Sequence, residues 1–375
     1  MNNRQFKIKP VSTEADIKTF LDVPNKVYQN DPNWVQPLRS SISKQLAPNN
    51  SFIEYGKFQQ FIAISNNSGE PLGRIVAAIN YRLIEKENQQ IGLFGYFECI
   101  PDFAITESLL NSAFEWLKAE GINKVRGPID LSTHNNCLLL VDGFNTPPMM
   151  MMPYHPAYYH QFLEKYGFVK EKDAYAYDFD VCKPLDDKFA RAYKIALQSG
   201  ITFRPLHTKG EEFLEDARKL YHLFTTAFAN NWSSTSRTEA EFLEEAKDLQ
   251  QLADPDIFHI AEDKGEMIGF FMGLPNYNIA LKQVNGQLNW LGILKFLWYR
   301  RKINQARIIA IASLPEYRRQ MVSLALVYLG MQGGTRRYKT AELSWVWEDN
   351  YPSRKIIEAA GGKIYKTYRI YEKEI

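Results

Sequence analysis

Cysteine is scarce in this sequence: Cys99, Cys137 and Cys182 are its only three, 38 and 45 positions apart. The spacing holds no CxxC pair and no zinc-knuckle pattern, and an odd count closes no disulfide framework, so a reducing cytoplasm is the expected compartment. Charge of one sign is not in excess either. The 45 Lys+Arg set against 43 Asp+Glu leave +2, which excludes a solvated acidic tail and the strong field of a general nucleic-acid binder; the basic residues form no patch with interleaved aromatics, and no nucleic-acid partner is expected. No apolar run approaches the ~18 residues of a spanning helix, which leaves surface attachment as the most a membrane could offer. The first ten residues alternate charge and apolar side chains and lack the apolar stretch of a signal peptide, so export is not expected. GxGxxG after a strand, GxxxxGK[ST], GxSxG and HExxH are all missing. Dinucleotide, P-loop, serine-hydrolase and zincin mechanisms therefore lack their supporting motifs, and no metal is expected.

What remains is a globular composition, 45% apolar and 23% charged over 375 residues, enough for about two domains of ~100–200 residues. The two halves share an order of elements. Phe61 to Ser65, a turn at Asn66 to Glu70 and Pro71 to Ile79 read as a β-hairpin; Ile257 to Ala261, a turn at Glu262 to Glu266 and Met267 to Gly273 read the same way. Each hairpin is followed by a strand, an amphipathic helix and another strand: Ile91 to Ile100, Thr106 to Leu117 and Lys124 to Pro128 in the first half, Ala306 to Ala312, Ser323 to Tyr328 and Ala341 to Trp347 in the second. Each half then has a short helical pattern ending in glycine, Tyr158 to Gly167 and Pro352 to Gly361. From Gly73 to Gly167 is 94 residues, and from Gly269 to Gly361 is 92. Glycine at such a helix end supplies the positive φ of a C-cap. The chain reads as duplicated, with domains at 1–185 and 200–375 and the link near Val181 to Gly200; two unrelated α+β domains with similar punctuation are the alternative.

That order of elements resembles the GCN5-related N-acetyltransferase fold, repeated twice. Leu314 to Ser323 looks like the loop after the family's central strand, and Glu348-Asp349-Asn350 with Ser353, Ile357, Gly361 and Gly362 looks like its carboxy-terminal motif. The resemblance implies an α+β fold of two tandem domains, each a mixed, mostly antiparallel sheet flanked by helices. It also implies an acyl-coenzyme A co-substrate whose pyrophosphate is held by backbone N–H groups at a helix N-terminus, here Arg318, Arg319, Gln320, Met321, Val322 and Ser323, with Asn350 from the second motif. Met321 and Ser323 stand where the family has glycine, and Met321 would crowd the anion. The first-half counterpart, Glu98 to Ala104, has neither the arginines nor the glycines. A narrower resemblance covers nearly the whole chain: Phe20 to Pro24, Tyr28 to Leu38, Gly127-Pro128 and Leu138 to Tyr154 look like a bacterial tandem acyltransferase-like family similar to the bacterial ceramide synthases. Those transfer a long acyl chain from a coenzyme A thioester to a sphingoid amine. His155-Pro156 and Asn136-Cys137 depart from the pattern expected of that family.

Acyl transfer to an amine needs a base to strip the ammonium and donors for the developing oxyanion. Such groups are densest in the first half, where His134, His155 and His160 fall within 27 residues. His134 or His155 is a candidate base, Glu98 at a strand end is a second, and Tyr154, Tyr158 and Tyr159 are candidate acids or oxyanion donors. Each has a plainer reading as a capping or packing residue, and Cys137 has no neighbour that marks a lowered pKa. Met149 to Met152 suit an adaptable wall around an acyl chain or a buried strand. Leu288 to Lys302 forms a wide apolar helical face ending in Arg300-Arg301-Lys302, which fits either a helix resting on the inner face of a membrane or one buried between domains. The sequence thus points to an acyl-CoA N-acyltransferase for a hydrophobic amine, with two alternatives: a non-catalytic acyl-CoA- or lipid-binding protein, and a short-chain acetyltransferase for a small polar amine.

Overall fold

The computed structural model describes residues 5–286 and 288–375, and the chain divides into two compact units, neither contiguous. The first unit takes the chain up to Asp173, Ala280–Trp298 and Lys366–Ile375; the second takes Ala174–Ile279 and Tyr299–Tyr365.

The first unit runs through β1 (Phe6–Pro10), α1 (Glu14–Val27), α2 (Arg39–Gln45), β2 (Gly56–Ser65), β3 (Pro71–Asn80), α3 (Tyr81–Glu87), β4 (Ile91–Cys99), α4 (Phe103–Ala119), β5 (Lys124–Gly127), β6 (Leu139–Asp142) and α5 (Tyr158–Tyr166). Strands β1 to β5 pair in chain order, antiparallel except for β4 with β5, whose parallel pairing requires the α4 crossover. The strand at the end of the chain, β13 (Lys363–Glu374), then adds to β5 through Tyr371↔Gly127 and the three pairs beyond it. Period-two alternation sorts β3 between two layers. Ile75, Ala77 and Ile79 join the core with Ile105, Leu109, Ala113 and Leu117 of α4. Arg74, just before Ile75, turns to the other face, where its guanidinium lies over the Phe20 ring of α1, 4.9 Å from the centroid. Helix α5 ends at Gly167, whose φ of 98° is the left-handed C-cap that the sequence leads one to expect there.

Two irregularities shape the middle of this sheet. Val76 pairs with Gly95 but Arg74 pairs with Glu98, so Tyr96 and Phe97 share one place opposite Ile75, and Tyr96 has a φ of 48°. This is a β-bulge, which re-aims the side chains that follow it. The β4–β5 pairing stops at Leu93↔Arg126 while β4 continues to Cys99, so the two strands part. Gly127 sits at the fork, where a Cβ would come 2.4 Å from the Phe94 carbonyl oxygen.

The second unit contains the later part of β7 (Val169–Asp180), α6 (Asp187–Gln198), β8 (Thr202–Pro205), α7 (Gly210–Phe228), α8 (Glu239–Gln250), β9 (Phe258–Asp263), β10 (Glu266–Pro275), β11 (Gln305–Ser313), α11 (Val322–Gly334), β12 (Thr340–Trp347) and α12 (Tyr351–Ala359). Between β10 and β11 run α9 (Asn278–Leu281) and α10 (Trp290–Arg300). The sheet order is β7-β12-β11-β10-β9-β8, again with one parallel pair, β11 with β12. That pair also separates early, after Ile308↔Leu343.

Val181 to Gly200, where the sequence places the link, carries α6, whose Phe189, Ala192 and Ala196 are buried, because apolar residues recurring at i, i+3 and i+7 need a helical face to cover. Of the two readings of Met149 to Met152, the strand is not the one the fold takes. Met152 N–H closes a turn on the Met149 carbonyl at 3.0 Å, Met151 has a φ of 61°, and Met149 and Met152 are buried while Met151 is exposed. Gly127→Ala is expected to destabilise the protein by about 1–3 kcal/mol, the usual range for overpacking, read as a lower denaturation midpoint in urea.

Candidate active site

The bulge places Glu98 beside Arg74 in the first unit. Glu98 is largely buried, its side chain 13% exposed, with Oε1 3.9 Å from Arg74 Nη2. Its other oxygen, Oε2, accepts from the hydroxyls of Tyr28 on the turn after α1 and Tyr159 on α5, both at 2.8 Å. Burial pushes the Glu98 carboxyl up from its ordinary value, and Arg74 and the two hydroxyls pull it part of the way back. Oε2 thus accepts two hydrogen bonds, while Oε1 has the Arg74 guanidinium at ion-pair distance and no hydrogen bond. Arg74 is itself buried and donates from Nη1 to the Phe20 carbonyl at 3.2 Å.

Tyr28 is held flat against Trp34, the rings 4.9 Å apart and 8° from parallel. Tyr159 is fixed at both ends of its hydroxyl, because it also accepts from the Cys99 N–H at 2.8 Å. A second carboxyl stands nearby in the electrostatic sense: Asp130 accepts from the Tyr96 N–H at 2.6 Å, and burial pushes it up to about 7, with Tyr96 and Arg74 opposing and Glu98 adding. Its approach depends on Gly95, where a Cβ would come 2.6 Å from Asp130 Oδ1.

The residues singled out from the sequence are spread over several roles. Glu98 is at the centre. Tyr154 donates to Asp31 Oδ2 at 2.9 Å and Tyr158 to the Cys99 carbonyl at 2.6 Å, so neither hydroxyl reaches the carboxylate; burial and Asp31 push the Tyr154 phenol up to about 12. His155 Nδ1 accepts from the Leu140 N–H at 3.3 Å, which ties the loop to β6. Burial pushes its pKa down to about 3, so the ring is neutral at pH 7, carries its proton on Nε2 and has spent its one lone pair on Leu140. His134 lies in the Ser132–Asn135 turn, its N–H donating to Ser132 Oγ at 3.3 Å. Cys137 is buried, and burial pushes the thiol of Cys99, the residue after Glu98, up to about 12, an unreactive value. Arg74, Tyr28 and Asp130 were not read as site residues from the sequence. Arg74 left a signal, as the lone charge in the apolar run Leu72 to Ile79.

The loop Leu314 to Ser323 of the second unit is built differently. Pro315–Gln320 is one short 3-10 turn, Met321 follows with a φ of 59°, and α11 starts with no side-chain cap. Ala325 N–H is the first in this helix to find the Met321 carbonyl, which leaves the earlier N–H groups for another acceptor. Arg318 and Arg319 are exposed and no ion pair engages them among the described residues. Gln320 Oε1 is buried without a partner. Ser323 Oγ is 2.7 Å from Ser313 Oγ, Val322 is packed in the core, and Asn350 caps α12 by accepting from the Ser353 N–H at 3.3 Å. The counterpart in the first unit is closed: Asp102 caps α4, accepting from the Ala104 N–H at 2.9 Å, and a carboxylate there repels an anion. Conversely, Gly73↔Cys99 and Gly269↔Ser313 put Ala312 and Phe270 where the first unit has Glu98 and Arg74. Among the described residues no group of His, Cys, Asp and Glu is arranged to hold a metal ion.

No protein-family model matches the sequence. The chain is 32% identical over 385 residues to the bacterial ceramide synthase of Caulobacter vibrioides (strain NA1000 / CB15N), taking in 100% of this chain and 98% of that protein. It belongs to the bacterial ceramide synthase family. Protein YghO of Escherichia coli (strain K12) is 30% identical over 386 residues, covering 100% of this chain and 97% of its own. Among solved structures, a tandem GNAT protein from the clavulanic acid biosynthesis pathway superposes with a TM-score of 0.58 at 12% identity, covering 98% of each chain. A GCN5-related N-acetyltransferase from Sphaerobacter thermophilus gives 0.55 at 13% identity, over 100% of this chain and 97% of that one. At such identities these two establish the fold of this family member, a tandem GNAT.

The raised carboxyls of Glu98 and Asp130 set the sign of a pH effect. A folded-state pKa above the unfolded value means that the native state holds its proton longer, so the stabilising contribution is complete below the ordinary carboxylate range and is lost as pH climbs, for Asp130 toward about 7. Asp130→Asn is expected to flatten the fall in urea midpoint between about pH 4 and 7 without abolishing it, since Glu98 contributes with the same sign.

Proposed function

We propose that this member of the family is an N-acyltransferase that moves an acyl group from a coenzyme A thioester to the amine of a hydrophobic acceptor, a sphingoid-type base being the class that the name of the C. vibrioides relative supports. The observation that carries this reading is Glu98: a buried carboxylate with a raised pKa, one oxygen anchored by two tyrosines and the other facing Arg74 without a hydrogen bond. Oε1 takes a proton from the acceptor ammonium, the freed amine nitrogen attacks the thioester carbonyl carbon, the C–N bond forms and the C–S bond breaks. Of the two protons then left on the attacking nitrogen, one ends on the departing thiolate and the other stays on the amide, so the products are an N–H amide and the free thiol. A pKa lifted toward the working pH is what a base of this kind requires.

The second unit has its own candidate anion site, the open α11 N-terminus with Arg318 and Arg319, which we assign to coenzyme A phosphates; Ala312 stands there where the first unit has Glu98. Backbone donors and the helix dipole suit an anion, and Met321 restricts it to a position in front of its side chain. The acceptor is a membrane-resident amine, and the chain works in the cytoplasm as a peripheral protein of the inner membrane face. A non-catalytic acyl-CoA-binding role is the reading to which the loss of Glu98 function would be indifferent.

Release of free thiol from palmitoyl-coenzyme A, with and without a long-chain amine, tests the proposal. Glu98→Gln is expected to lower the amine-dependent rate by about 10²–10⁴-fold, and unchanged turnover would sink the assignment of the base. Tyr159→Phe removes a hydrogen bond that holds the carboxyl down, so the acid limb of the pH–rate profile should move to higher pH. Separately, Arg318→Ala with Arg319→Ala should weaken equilibrium binding of coenzyme A roughly tenfold or more, the scale of one lost charge-assisted hydrogen bond, and less so in high salt.

A further inference from the structure

Helix α10 has the opposite polarity from an ordinary surface helix. Trp290, Leu291, Ile293, Leu294, Leu297 and Trp298 recur at the i, i+1, i+3, i+4, i+7, i+8 spacing of a single helical face, and that face is turned outward. Trp290 is 70% exposed, Trp298 60% and Leu294 59%, while Gly292 on the opposite side is buried. The helix has 11 residues, and no helix among the described residues is long and apolar enough to cross a membrane.

Charge decides what covers this face. From Met267 to Pro315 the sequence has no Asp or Glu, yet Lys282, Lys295, Arg300, Arg301 and Lys302 fall there, with Arg307 buried against Ser344. In a chain whose net charge is only +2 this is a segment of one sign, and Arg300-Arg301-Lys302 run through the helix end and the turn after it. At its base lies an open pocket of about 330 Å³ whose polar lining is Gln283, Asn285, Asn289 and Lys295; Lys295 is its only charged residue. Asn289 Oδ1 is already taken by the Gly292 N–H at 2.9 Å, which leaves its amide donors facing outward. The face is apolar, its margin carries cations and amide donors, and neither contains an acid.

We infer that α10 lies flat in the interface of an anionic bilayer, its tryptophans and leucines among the upper acyl segments and its basic margin on lipid phosphates, with the pocket at its base receiving a phosphate head group. Tryptophan at that depth keeps its indole N–H near water while burying the ring, and a helix too short to span still binds when buried apolar area and charge act together. The inference goes with the function proposed above in one respect, that a membrane-resident acceptor gives the docking its use; the docking itself is read without substrate, so failure of either is seen separately.

The test is flotation of the full-length protein with vesicles of phosphatidylcholine alone and of phosphatidylcholine with 40% phosphatidylglycerol, about 0.1 M and 0.5 M salt being the two arms. Binding to the anionic vesicles should be at least tenfold tighter and should weaken in high salt. Trp290→Ser with Leu294→Ser should lower it at least tenfold with an unchanged thermal midpoint, since both side chains are exposed. Lys295→Gln should reduce the preference for the anionic vesicles, and brominated lipid should quench tryptophan fluorescence in the parent more than in Trp290→Phe, Trp298→Phe. Equal binding to both vesicles, or a double serine variant that binds like the parent, overturns the inference. So does a dimer in sedimentation that the double serine variant converts to monomer without any vesicle binding, which would make this face a subunit interface.

Discussion

A carboxylate taken out of water is tolerated only where its surroundings replace the lost hydration, and that constraint organises the first unit. Glu98 gathers one cation and two hydroxyls from three separate stretches of chain, Arg74 from β3, Tyr28 after α1 and Tyr159 from α5. The replacement is incomplete, which is why the carboxyl stays raised. Each partner is itself pinned: Arg74 by the Phe20 carbonyl and ring, Tyr28 by Trp34, Tyr159 by the Cys99 N–H. A pre-organised site of this kind does not need to reorient dipoles when charge moves. The bulge at Tyr96 and Phe97 is what turns Glu98 toward this set instead of leaving it in a regular ladder.

The two units keep the same skeleton and place different residues on it. Each has an antiparallel hairpin, a parallel pair that separates early and a helix crossing between the parallel strands. In one, the separating strand carries Glu98 just before its last residue and the crossing helix is capped by Asp102; in the other Ala312 holds the corresponding place and the helix has no side-chain cap. Burial explains the contrast. Ala312 belongs to the core under α7 with Phe270 and Leu220, a place where a carboxylate would have no partner.

Local patterns carried the fold. Both hairpins, both crossing helices and the Gly167 cap were legible because turn chemistry and apolar period are written within ten residues of one another. Glu98 was legible as a polar residue closing an apolar strand. Its partners were not, since Tyr28 is 70 positions upstream and Tyr159 61 downstream, and nothing local marks a tyrosine that will be brought home by tertiary packing. His155 shows the reverse. Its type and loop setting advertised a base, whereas the fold spends its lone pair on a backbone N–H. The outward face of α10 was legible as apolar, but a pattern gives the stripe and not the direction it faces.

The last strand has a bearing on how the protein is made. Arg126 on β5 meets Glu372 of β13 at 2.9 Å, 246 positions later, and the Tyr371 ring packs into the same core as Phe94 and Phe168. A ribosome adding about 5–20 residues each second needs some tens of seconds to cover that interval. For that time the first unit has all its other strands but an unsealed edge at β5, the geometry on which neighbouring chains pair wrongly. An open β5 edge is thus a feature of its synthesis that a domain with a local final strand would not have.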